Sequence, residues 1–128
     1  MAVWHLECDR FAALWLGAAN ESFPDPFVYT SRFRFLDEWE LFQARTRLEY
    51  GAAEFDGLRA ALAILTDAQA SVRVVGTAPG RGAVVRMIGC RDDATAVVAG
   101  QRPATGRAGG DIVLRTGTAD ELAVMLAR

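Results

Sequence analysis

The chain has 128 residues, 52% of them apolar and 23% charged, which is the balance of one globular domain over 1–128 and excludes a disordered chain. Fourteen basic and sixteen acidic residues leave a net charge of −2 with no basic block, so nucleic acid is not an expected partner. No uncharged apolar run approaches the ~20 residues of a membrane-spanning helix, and residues 1–7 show no basic segment ahead of an apolar one, so no membrane partner is expected and the expected address is the cytoplasm.

All fourteen basic residues are arginine, which excludes a phosphate-loop lysine, a Schiff-base lysine and a lysine general base. In chain order, residues 3–6 read as a short edge strand. Glu7 and Asp9 then open a helix that places Cys8, Phe11, Leu14 and Trp15 on one face and stops at Gly17. Phe23-Pro24-Asp25-Pro26 breaks regular structure, because each proline restricts itself and its predecessor. The aromatics at 27, 29, 33 and 35 share odd parity and predict a strand over 27–35.

Residues 36–51 predict a long helix with two apolar sides. Leu41, Ala44 and Leu48 cluster on one, while Trp39, Phe42 and Tyr50 cluster nearly opposite. A second helix over 54–66 has a single face of Phe55, Leu58, Ala61, Leu62 and Leu65. Beyond Asp67 the period changes to that of strands, at 71–76, 83–90, 94–101 and 111–115, joined by short turns and a glycine-rich loop over 102–110. Short connections favour an antiparallel meander. Thr118 and Glu121 form a capping box that starts a last helix with Leu122, Met125 and Leu126 inward. The fold class is therefore α+β, an antiparallel sheet flanked by helices.

The residues offer little catalytic chemistry. One histidine and two distant cysteines make no metal site, and no cofactor is expected. Asp92 and Asp93 read as turn residues. A thiolate at Cys8 with His5 as its base is conceivable, but Cys8 also completes an apolar stripe and reads as a core thiol. Arg73, Arg86 and Arg115 either line one sheet face for an acidic partner or form a solvated strand surface. The reading is of a non-enzymatic protein.

Trp4-His5-Leu6, then Asp9-Arg10-Phe11-Ala12-Ala13-Leu14-Trp15-Leu16-Gly17 and Pro24-Asp25-Pro26, resemble the opening of the EspG family of actinobacterial type VII secretion chaperones. The resemblance continues through Ala61-Leu62-Ala63-Ile64-Leu65, Val72-Arg73-Val74, Val84-Val85-Arg86, Ala96-Val97-Val98-Ala99 and Glu121-Leu122-Ala123. EspG proteins are about twice as long, with two similar halves about a pseudo-two-fold, so this chain resembles one half. The resemblance implies a cytosolic chaperone or adaptor that binds a helical secretion substrate, such as a PPE-like protein, and it carries no catalytic residues. A small immunity or adaptor protein on a similar scaffold is the alternative.

Two surfaces follow as candidates. The tip of the 77–82 loop (Thr77, Pro79, Gly80 and Arg81) is either a client-binding loop, which the resemblance favours, or a plain connector. The second is a homodimer interface through Trp39, Phe42 and Tyr50, the alternative being that the aromatic strand over 27–35 folds back over Trp39 and covers it within one chain. The interface is expected because a small domain has few elements to cover a two-sided helix, and because a two-fold would rebuild the longer molecule that the resemblance implies.

Overall fold

Alternation of valine-rich segments with tight turns builds one five-stranded antiparallel sheet, in the order β1-β5-β4-β3-β2. The computed structural model describes residues 2–68, 70–77, 84–103 and 109–127. Its strands are β1 (Val3–Leu6), β2 (Ala70–Thr77), β3 (Val84–Arg91), β4 (Thr95–Gln101) and β5 (Ile112–Thr118). Strands β2 to β5 form a meander, and β1 adds to β5 with Val3 opposite Arg115. Asp92 sets the β3–β4 turn, its Oδ1 accepting the N–H groups of Ala94 at 3.0 Å and Thr95 at 2.8 Å. Those bonds favour the charged form and hold its carboxyl below the usual range.

The period of two divides the sheet into two faces. Ile88, Cys90, Val97, Ala99, Ile112 and Leu114 point to one side, where they meet Phe11 and Trp15 of α1 (Cys8–Trp15) and Leu58, Ala61 and Leu62 of α3 (Asp56–Asp67). Full burial of side chains the size of Phe11 or Leu58 contributes about 1.5–3 kcal/mol each. The long predicted helix is α2 (Leu36–Glu49), and a 3₁₀ turn at Ala53–Phe55 leads into α3.

The opposite face holds Ala96 and Val98 under a helix of only five residues, α4 (Leu122–Leu126). Such a helix is too short to be stable alone. The Thr118 and Glu121 capping box starts the turn that leads into it, with the Thr118 N–H donating to Glu121 Oε1 at 2.9 Å. Two strand positions without side chains let it sit close. A Cβ on Gly89 would stand 2.7 Å from Leu126 Cδ2, and one on Gly117 2.9 Å from Met125 Sδ.

The strand expected over 27–35 is absent; the segment is irregular. It follows a cis Asp25–Pro26 bond. Side chains tie it down instead of a ladder. The carboxamide of Gln101, at the end of β4, accepts the Val28 N–H at 2.8 Å and donates to the Val28 carbonyl at 2.7 Å and to that of Gly110 at 3.2 Å. One buried amide thus does for Val28 what a neighbouring strand would. Gly109 makes room for it, with a positive φ of 100° and Val28 O only 2.3 Å from where a Cβ would lie.

Replacing Gln101 by leucine leaves these backbone groups unpaired in a largely buried site. The expected cost is about 2–3 kcal/mol of unfolding free energy, read as a lower urea midpoint with unchanged slope. An unchanged midpoint would contradict this role.

Candidate protein-binding surface

Asp9, in the first turn of α1, is buried and takes two bonds from the irregular segment. Tyr29 Oη donates to Oδ1 at 2.8 Å and Arg32 Nε to Oδ2 at 2.8 Å. These anchors aim Phe33 at α2. Its ring lies 5.6 Å from Trp39 and 4.9 Å from Phe42 between centroids, and the Arg32 guanidinium covers Phe33 at 4.3 Å and Phe42 at 5.4 Å. Farther along, Gln43 Nε2 donates to the carbonyls of Ala13 at 3.2 Å and Leu16 at 2.8 Å, and Arg47 Nε donates to Ala13 O at 3.0 Å. A second Arg47 nitrogen bonds Leu16 O. Two of the carbonyls orphaned at the end of α1, those of Ala13 and Leu16, are therefore satisfied by side chains of α2.

Within one chain this geometry already covers much of the expected dimer face, as the alternative of a folded-back 27–35 segment requires. Trp39 and Phe42 are half-buried under Phe33 of the same chain. Tyr50 is 9% exposed in the main core, its ring 4.5 Å from Phe55. The aromatic side is the inner side of α2, because it combines the larger apolar area with the polar groups that fit the end of α1. The side of Leu41, Ala44 and Leu48, with the usual core residue types, faces outward. Leu41 is 53% and Leu48 82% exposed. A helix that shows a leucine stripe to solvent is the most distinctive surface feature of the described residues.

The other expected positions fall as follows. Thr77 ends β2 and is exposed, while Pro79, Gly80 and Arg81 lie outside the described residues. Arg73, Arg86 and Arg115 do not share a face. Arg73 and Arg86 stand on the α1/α3 side, with Arg73 donating to Asp25 O and Arg86 to Pro26 O, each at 3.0 Å. Arg115 is opposite Val98 on the α4 side and donates to Met125 O at 3.2 Å. All three guanidinium groups fasten backbone carbonyls.

A cleft of about 440 Å³ opens between the 19–25 loop, the end of α3 and β2. Phe11, Trp15, Phe27 and Ile88 floor it, and Glu21, Asp25 and Arg73 stand at its walls. Among the described residues, no three His, Cys, Asp or Glu side chains converge as a metal site would need, and no helix is long and apolar enough to cross a membrane.

His5 is exposed on β1, whereas Cys8 Sγ is buried between Gln101 Nε2 at 3.6 Å and Val28 O at 3.8 Å. Burial, reinforced by the charge of Asp9, pushes the Cys8 thiol up to about 11, and burial pushes Cys90 to about 11 as well. Both are poor thiolates. Sequence reasoning missed Asp9, Gln43 and Gln101 as anchors. The available signal was a glutamine closing the otherwise apolar run of β4.

Compared with family models, with curated proteins and with solved structures, the chain finds no match.

The raised thiols have a consequence for stability. The unfolded chain releases their protons near its ordinary pKa of 9, while the folded chain holds them until about 11. Their contribution is complete below about pH 9 and is lost as pH rises toward about 11. The urea midpoint should fall across that window in the wild type, and less in a Cys8→Ala/Cys90→Ala double variant. Equal slopes would contradict the assignment.

Proposed function

We propose that the protein is a non-enzymatic chaperone or adaptor that holds a helical segment of another protein against the outward side of α2. The observation that carries this reading is the exposed stripe of Leu41, Ala44 and Leu48. Spacing of three and four residues presents a ridge that fits the groove of a second helix. The inner side of α2 is already occupied, so a client helix would pack against the stripe without competing with the core. The motifs that resemble the EspG family suggest the class of client, a helical type VII secretion substrate met in the cytoplasm. The raised, buried thiols weigh against a cysteine nucleophile.

The test is co-purification from the native host with identification of the bound protein. Leu41→Glu and Leu48→Glu change exposed positions and should move folding stability by no more than about 0.5 kcal/mol. Each should weaken capture of a helical secretion substrate at least about tenfold, a loss of roughly 1.4 kcal/mol. Capture of a folded toxin domain instead would favour the immunity reading. Capture of a helical substrate that both variants leave unchanged would refute the α2 surface.

A further inference from the structure

The cleft beside β2 is walled by a loop that the fold holds in place. The Gly17 N–H donates to Asn20 O at 2.9 Å, and Asn20 Nδ2 donates to Thr66 Oγ1 at 3.0 Å. The Trp15 indole N–H donates to Ser22 O at 3.0 Å, and Arg73 Nε donates to Asp25 O at 3.0 Å. Side chains of α1, α3 and β2 thus fasten the 19–25 loop at three separate points, so its shape is set before any ligand arrives. At about 440 Å³ the cleft has the size of small-molecule sites, which run about 300–1,000 Å³.

Its walls carry both signs of charge. The Arg73 guanidinium is pinned through Nε, while its two terminal nitrogens have no partner among the described residues. That leaves a fixed fork suited to a carboxylate. Glu21 and Asp25 line the same cleft, and their carboxylates have no partner among the described residues either. The floor between them is apolar. Trp15 is 9% exposed and Phe27 and Ile88 are each 7% exposed, with the half-buried Leu65 beside them. Such a floor offers ring edges and methyl groups rather than a deep slot, which favours a compact aliphatic group over a large ring.

We propose that this cleft binds a free apolar α-amino acid of about the size of leucine. The Arg73 fork takes its carboxylate, Asp25 and Glu21 attract its ammonium, and its side chain lies on the floor. The mixed charge of the walls selects this class. A simple carboxylate would face two like charges with nothing to offer them, and a simple amine would leave the guanidinium unmatched. A zwitterion answers both. None of the lining residues belongs to α2, so the site stands independently of the proposed client surface.

Titration with L-leucine, followed in proton–nitrogen correlation spectra, reads the site directly. The Trp15 indole resonance should shift and saturate, because its N–H holds the cleft wall, while the Trp39 indole should not move. Leucinamide lacks the carboxylate and isocaproate lacks the ammonium; each should bind at least about tenfold more weakly than leucine. Arg73→Gln should weaken leucine binding at least about tenfold and leave leucinamide binding as in the wild type. Because Arg73 also holds Asp25 O, Ser71→Leu supplies a second variant that keeps this bond and fills the cleft from an exposed strand position. It should match the wild type in circular dichroism and lose leucine binding. No saturable shift up to about 10 mM leucine would overturn the proposal. So would equal affinity for leucine and either analogue, or unchanged leucine binding in either variant.

Discussion

One buried carboxamide decides what the rest of this molecule shows to solvent. Gln101 pairs with both the N–H and the carbonyl of Val28, and so fixes a segment that has no strand partner. From that point the chain runs to Tyr29 and Arg32, which Asp9 holds, and then to Phe33, which covers Trp39 and Phe42. The orientation of α2 about its own axis follows from this sequence of contacts. Among the described residues no buried side-chain polar atom lacks a hydrogen-bond partner, so the polar groups drawn into the interior are satisfied there.

Periodicity made much of the architecture readable before the structure. The strands after Asp67 lie within a residue or two of their expected bounds, apart from β5, which runs on to Thr118. The capping box opens the last helical turn at Ala119–Glu121, ahead of α4. These features are local. Alternation, capping and turn chemistry act over a few residues, and each was present in the chain to be read. The 27–35 segment was misread because its odd-numbered aromatics imitate a strand. Phe23, Phe27 and Phe33 do pack inward, but around an irregular path whose direction is set by Gln101, far away in sequence.

The two-sided helix shows where local reading stops. Both sides of α2 are apolar, and the period alone ranks neither as inner. The decision comes from nonlocal partners: the carbonyls of Ala13 and Leu16 accept from Gln43 and Arg47, and Phe33 arrives from the segment before the helix. The anchors Asp9 and Gln101 were equally hard to see, since a first-turn acid and a strand-end glutamine are ordinary surface residues in most sequences. Among the described residues no three His, Cys, Asp or Glu side chains converge, and the exposed apolar features are a helix stripe and a sheet edge.

The central claim is that Phe33 covers Trp39 and Phe42 within one chain, leaving the leucine side of α2 free. Isotope-filtered nuclear Overhauser spectroscopy on a mixture of labelled and unlabelled protein separates contacts within a chain from contacts between copies. The account predicts that Phe33–Trp39 and Phe33–Phe42 ring contacts are intramolecular and unchanged on dilution. Ring contacts seen only between chains, or lost on dilution, would contradict it.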